Sequence, residues 1–332
     1  MSSGKSAAFA ALALLAAGAA QAQEKPVSLY IGYSTGGGYD VYGRVVARHI
    51  GRHLPGNPNV IVNNMPGAGS MRLANWLYNV APKDGTVFGT VARGIAFDTL
   101  LGMPGANFDA TKFNWIGSAN DEVSVCVAWH TSGVTKFEET TQRELIVGGT
   151  GGSADTDQFP KVFNGVLGTK FKIVAGYPGG NDINLAMERG EVQGRCGWSW
   201  SSVISTKPDW LKDKKVSVLV QLSLEKHPDL PNVPLITEFA KDPLQQGVFK
   251  LVFARQVMGR PFVAPPGVPA DRVATLRKAF LETMKDKELL AEAEKAQLEI
   301  TPVSGDAVQK LVADAYAMPQ EVIKKTAEVL KE

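Results

Sequence analysis

Apolar and polar positions along this chain follow two alternating rhythms. Val27–Tyr33, Val60–Val62 and Thr86–Val91 are short β-rich runs. Between the first two, Val41, Val45, Val46 and Ile50 recur at helical spacing and predict a helix to about His53. Leu73, Leu77 and Tyr78 mark a second helix, closed by the turn Pro82-Lys83-Asp84-Gly85. The order then restarts: strand Glu144–Val147, a helix to about Leu167, strand Phe171–Val174, a helix near Asp182–Arg189, then strands Val192–Cys196 and Val216–Gln221. From Ala270 onward the pattern is mostly helical. Strands alternating with helices predict parallel or mixed sheets flanked by helices, and the restart predicts two such α/β units. With crossovers near residues 122 and 220, residues 23–121 and 221–332 form one domain, to which the C-terminal helices return. Residues 122–220 form the other.

The N-terminus has a different logic. Lys5, an apolar stretch over 7–20 and the small-x-small site Ala20-Gln21-Ala22 predict a secretory signal peptide over 1–22 and export as a soluble protein. No later segment reaches the ~18–20 apolar residues a membrane helix needs. The 35 Lys and Arg nearly balance the 33 Asp and Glu, and a net charge of +2 argues against the concentrated basic footprint of a nucleic-acid binder. The two cysteines, Cys126 and Cys196, sit in the strand-like runs Val123–Trp129 and Gln193–Trp198. An oxidising compartment permits a bridge if those strands pair, and two separate buried thiols fit the sequence equally well.

Four glycine-rich turns lie between strand ends and helix starts, at residues 34–38, 66–70, 149–153 and 177–180. The first turn of a helix leaves backbone N–H groups without partners, and the macrodipole adds about half a positive charge there. Glycine lets such a loop approach a ligand closely, so these termini suit anions. In open α/β sheets the strand-end loops gather where ligands bind. Four loops at equivalent places predict a shared interdomain cleft that holds an anion.

The run Gly32-Tyr33-Ser34-Thr35-Gly36-Gly37-Gly38-Tyr39-Asp40-Val41-Tyr42-Gly43-Arg44 resembles the first signature of the Bug family, the extracytoplasmic solute receptors of tripartite tricarboxylate transporters. Val60–Ser70 with Pro82–Gly85, Tyr177-Pro178-Gly179-Gly180 with Gly190-Glu191-Val192, and Leu230-Pro231-Asn232-Val233-Pro234 resemble later stretches of that family, in order. Gly32, Asn63 and Met65 depart from its usual residues. The resemblance implies a type II periplasmic-binding-protein fold that closes on a small carboxylate, acts as a monomer without a cofactor, and serves membrane permease subunits. It carries over Tyr33, Ser34, Thr35, Gly36 and Gly37 in the first loop, and Ala68, Gly69 and Ser70 in the second, as ligand contacts. From the second domain Thr150, Gly151, Gly152, Ser153, Tyr177 and Gly179 join them. Asp40 matches the family's acid and is expected to order the first loop, since a free carboxylate would repel an anion.

Arg195 is a candidate on chemical grounds, because a guanidinium clamps a carboxylate with two parallel hydrogen bonds. Trp198 lies beside it and packs either ligand carbon or core, and Trp200 is expected in the core. Catalytic readings fare worse. Gly149-Thr150-Gly151-Gly152-Ser153-Ala154 fits a dinucleotide fingerprint, but the next strand ends Ile173-Val174-Ala175-Gly176 without the ribose-binding acid. Gly197-Trp198-Ser199-Trp200-Ser201 lacks the last glycine of a nucleophile elbow, and only His227 follows Ser199. His49 and His53 are four apart without the Glu of a zinc protease, so they are expected on a solvated helix face and no metal site is expected. The chain thus reads as a binding protein and not an enzyme, with an exported hydrolase of a small ester, or a receptor that presents ligand to a sensor, as the alternatives.

Overall fold

The computed structural model describes residues 26–331, so the expected leader 1–22 lies outside the described residues. Eleven strands occur in chain order: β1 Val27–Ile31, β2 Val60–Asn64, β3 Val87–Thr90, β4 Asn114–Ser118, β5 Ser124–Trp129, β6 Leu145–Gly148, β7 Phe171–Val174, β8 Gly194–Ser199, β9 Val216–Leu222, β10 Pro261–Ala264 and β11 Val303–Ser304. They form two mixed sheets, ordered β11-β4-β10-β3-β1-β2 and β7-β6-β8-β5-β9. Each sheet repeats one plan. A parallel trio (β2-β1-β3, then β7-β6-β8) is extended by an antiparallel strand from across the chain, β10 in the first sheet and β5 in the second. The chain passes to the second sheet between Ser118 and Ser124 and returns between Leu222 and Pro261. The parallel trios follow the alternating pattern of the sequence. Strands β4, β10 and β11 carried no such signal: β10 and β11 are short and bounded by Pro or Gly, and Gly117 interrupts the apolar run of β4.

The helices form where the apolar spacing places them. Gly38–Ile50 starts at Gly37 in extended conformation and carries Asp40 in its first turn and Arg48 and His49 in its last, an order that complements the helix dipole. Its buried face is Tyr42, Val45, Val46 and Ile50, packed with Leu276 and Phe280 from the C-terminal half, whereas Val41 is half-buried. Burying each of those large side chains stabilises the lobe by about 1.5–3 kcal/mol. The histidines of this region do not face solvent as expected. His49 Nε2 lies 2.6 Å from Glu292 and His53 Nε2 lies 2.8 Å from Asp286, so both clasp the helix Lys287–Lys295. No cluster of metal-ligating side chains occurs among the described residues. Nor, among them, is any helix long and apolar enough to cross a membrane.

The last helix departs from expectation too. Gln320–Lys331 packs on Asp155–Leu167, beside the second sheet, and on Pro243–Ala254. The reason is apolar continuity. Val322, Ile323, Val329 and Leu330 complete one cluster with Phe159 and Phe163 of the second lobe and Phe249 and Phe253 of the return segment. The two lobes therefore share a core on one side and meet through polar groups on the other. Aromatic rings in that shared core lie 5.0–6.5 Å apart, the spacing of tilted and edge-on pairs.

Two local features have measurable consequences. Cys126 on β5 and Cys196 on β8 are joined by a disulfide that closes a 70-residue separation inside the second sheet. Replacing both by Ala should lower the unfolding free energy by about 2–4 kcal/mol, as should reductant on the parent protein, read by urea denaturation. Loss of less than ~0.5 kcal/mol in both measurements would show the bridge to be mechanically idle. Asp98 is fully buried, accepts a hydrogen bond from Gln158 of the other lobe at 3.1 Å, and is pushed up from 3.8 to about 7 by burial, against the lowering effect of Arg255. A carboxyl that is harder to ionise when folded contributes stability that is full below about pH 4 and lost as pH rises through about 7. Asp98→Asn should remove that slope between pH 4 and 7, and identical pH–stability curves for the two proteins would discard the assignment.

Candidate functional site

Three helices of the two lobes begin at one cavity. Gly38–Ile50 enters from the first lobe, and Asp155–Leu167 and Gly180–Glu188 enter from the second. Their N-cap residues are Gly37, Ala154 and Gly179, and none makes a side-chain capping bond. Backbone N–H groups at these ends are therefore left for a ligand, with the positive dipole ends behind them. The cavity offers about 40 Å³ to the centre of a water-sized sphere, room for roughly three waters at ~10–15 Å³ each. A larger hollow of about 490 Å³ lies at the crossovers, walled by Asp121, Glu122, Glu225 and Glu299. Size alone would favour it, but those carboxylates suit it poorly to an anion.

The lobes touch directly around the smaller cavity. Ser34 donates its N–H to Pro178 O at 3.1 Å and its Oγ–H to Asp182 Oδ2 at 2.6 Å. Gly69 donates to Thr150 O at 2.9 Å. Glycine is required at this second contact: Gly69 and Gly151 have φ of +65° and +126°, and a Cβ on Gly151 would stand 2.5 Å from the Ala68 backbone. The first loop is drawn tight by Asp40, which accepts from Gly36 N at 3.0 Å, Asn64 Nδ2 at 2.8 Å and Arg44 Nε at 2.9 Å. Burial alone would raise the Asp40 carboxyl, but these hydrogen bonds outweigh it and hold it below its ordinary value. Asp40 points at its own loop and so orders it.

Guanidinium groups supply most of the charge. Arg93, just past β3, places Nε 2.8 Å from Asp155 Oδ2 and donates from Nη2 to Ser199 Oγ at 2.7 Å. Arg260, just before β10, donates to Ser199 Oγ at 2.8 Å and Ser202 Oγ at 2.7 Å, and lies 3.5 Å from Glu122. Both arginines are 2% exposed or less, and both reach from the first lobe to the second. Arg195, on β8, donates to Gly180 O at 3.0 Å and Asn184 Oδ1 at 3.1 Å and stacks 4.7 Å over the Trp198 ring. No carboxylate stands within ion-pair distance of it among the described residues. Burial pushes its guanidinium down to about 9, only partly countered by Tyr33. A desolvated cation of this kind gains from any anion that reaches it.

Of the residues singled out from sequence, Tyr33, Gly37, Thr150 and Arg195 line the cavity. Ser34, Gly69, Gly151 and Gly179 lie where the lobes touch. Ser70 is buried, donating to Gly32 O and accepting from Ala92 N, and Ala68 packs on Gly151. Thr35 and Gly36 are exposed, Ser153 is buried, Gly152 O accepts from Gln158, and Tyr177 packs at the edge of the second-lobe core. Trp198 belongs to that core and to the cavity wall, and Trp200 to the core alone. Arg93, Arg260, Asp155, Ser199 and Ser202 were missed. Arg93 had a signal, a strand end followed by Ala92-Arg93-Gly94; Arg260 had none, because its strand is unmarked. Ser199 Oγ lies between two cationic donors, an arrangement that lacks the base a nucleophile needs.

No protein-family model matches the chain. Along its length it is similar to the UPF0065 protein in the gbd 5′ region of Cupriavidus necator, 25% identical over 344 residues, spanning 97% of this chain and 95% of that one. Its fold is similar to the periplasmic binding protein BugD, with a TM-score of 0.72 at 19% identity over 92% of this chain and 98% of the other. A protein of R. palustris solved with adipate gives 0.70 at 18% identity over 91% and 97% of the two chains. MatC of Rhodopseudomonas palustris, with bound malate, gives 0.70 at 18% over 92% and 98%. The two-sheet architecture is thus that of the periplasmic binding proteins.

Proposed function

We propose that this chain is a Bug-type extracytoplasmic solute receptor, which captures a small organic carboxylate by closing its lobes and delivers it to the permease subunits of a tripartite tricarboxylate transporter. One observation carries the reading: uncapped helix N-termini and a guanidinium without a counter-ion share a small cavity between two lobes. The similarity to receptors solved with adipate and malate supports the ligand class. The expected leader and the disulfide fit an exported protein.

In this reading residues 23–121 with 221–319 form one closing body and residues 122–220 the other, with the last helix, Gln320–Lys331, at the joint between them. The anion enters the open cleft and meets the amides at Gly37–Gly38 and Asp155–Thr156, then Arg195. Closure brings Arg93 and Arg260 against Asp155, Ser199 and Ser202 and pins the first loop to the helix Gly180–Glu188 through Ser34 and Asp182. A ligand drives that change only by its differential affinity for the closed form. The closed surface is what the permease recognises.

Thermal unfolding with a panel of mono-, di- and tricarboxylates tests the function. A true ligand at 100 times its dissociation constant should add about 2.7 kcal/mol of stability. A panel without any stabilising carboxylate, together with turnover of small esters, would replace this reading with an exported hydrolase.

A further inference from the structure

The larger hollow at the crossovers shares no wall residue with the interlobe cavity and carries the opposite sign of charge. Its volume of about 490 Å³ is that of a small-molecule site. Asp121, Glu122, Glu225 and Glu299 wall it, with Lys226 and His227 as the bases of the wall. Two of these charges are already matched. Glu122 lies 3.5 Å from Arg260 and accepts from Asn120 Nδ2 at 3.0 Å, and Lys226 Nζ lies 2.8 Å from Glu238. Asp121, Glu225 and Glu299 are left with His227, whose ring stands 3.2 Å from Glu299 and 3.8 Å from Asp229. Asp121 and Glu225 have no ion-pair partner among the described residues. Counting Asp229, four carboxylates thus face one imidazole.

Three further observations decide what kind of cation fits. A metal ion needs several oxygen ligands gathered at one point, and no group of three acids or histidines is so gathered among the described residues. The negative charge is spread around the wall instead. Gln256, also in the wall, is 3% exposed and donates Nε2 to Leu222 O, which leaves its Oε1 buried without a donor. A carbonyl oxygen is filled only by an N–H or O–H group. Leu224 and Val257, 40% and 43% exposed, add apolar wall that an inorganic ion cannot use. We infer that this hollow is a second ligand site, for a small organic cation with N–H donors, an alkylammonium or alkylguanidinium. Its donors are shared among Glu225, Glu299 and Gln256 Oε1, and its carbon chain lies on Leu224 and Val257. Burial, reinforced by the charge of Glu122, raises the Glu299 carboxyl against the pull of His227, and a cation arriving there offsets that cost. Residues 121–123 and 223–228 belong to the two crossovers, so the bound cation bridges the connections between the lobes. The inference stands independently of the carboxylate receptor reading.

Calorimetry of the purified protein at pH 8 tests the site, using agmatine, pentylamine, the matched pentyltrimethylammonium and magnesium chloride. Agmatine or pentylamine is expected to bind at least tenfold more tightly than pentyltrimethylammonium, which has the same chain and charge but no N–H. Equal or tighter binding of the quaternary cation overturns the proposal, and so does the absence of binding by both amines. Magnesium that displaces the amine at equal concentration overturns it in favour of an inorganic ion. Glu225→Gln and Glu299→Gln supply the placement: each should weaken the amine at least threefold. Glu225 is exposed, so its substitution leaves folding intact even where that of the less exposed Glu299 does not. Glu328→Gln, an exposed change on the last helix, should leave the affinity as it was. Unchanged affinity in both wall variants, or an equal loss in Glu328→Gln, would reduce the binding to general surface charge and sink the assignment.

Discussion

Desolvated guanidinium is the constraint around which the polar side of this molecule is arranged. Arg93, Arg255 and Arg260 are 2% exposed or less, and each must find acceptors inside the protein. Asp155 serves two of them and Glu122 the third, with hydroxyls of Ser199 and Ser202 taking further donors. Because the arginines belong to the first sheet and its return segment, and Asp155 and the serines to the second, these bonds exist only when the lobes are together. An ion pair buried this way contributes little net stability after desolvation, yet removing one partner is severe. Its main effect is to specify one relative placement of the lobes.

The apolar side works by a different principle. Phe159, Phe163, Phe249, Phe253 and the last helix form one cluster that ignores the boundary between sheets. Apolar packing is non-directional, so it joins the lobes without dictating how far the opposite edge opens. Directional contacts at the cavity and non-directional contacts behind it together suit a body that can gape on one side while remaining joined on the other. The loop contacts Ser34–Asp182 and Gly69–Thr150 lie on the cavity side, where each is a single hydrogen bond of about 0.5–1.5 kcal/mol.

Similarity to known receptors and the geometry of the cavity point the same way, but they speak to different levels. The fold comparisons identify the periplasmic-binding-protein architecture, and many folds of that kind hold unrelated ligands. The specific chemistry lies in the side chains of this chain. Under the proposed function, the helix N-termini would serve any anion. Under the same proposal the arginines would add discrimination, since each fixed cation favours a negative charge at one location.

Much of the architecture was legible in the amino-acid sequence, because it depends on local physics. Helical and strand periodicities come from burial of one face, and the glycine turns from backbone sterics, so the parallel trios and the three helix starts at the cavity could be read without coordinates. The resemblance to Bug receptors, read from residues 32–44 and their successors, agrees with the fold comparisons. Tertiary structure decided what depends on residues distant in sequence. Only the pairing of β5 with β8 brings Cys126 to Cys196, and only the return of the chain at β10 delivers Arg260 to Ser199, 61 residues away. Charge balance at a buried site is a sum over such distant neighbours. A sequence with a net charge of +2 gives no sign that three of its arginines share two carboxylates.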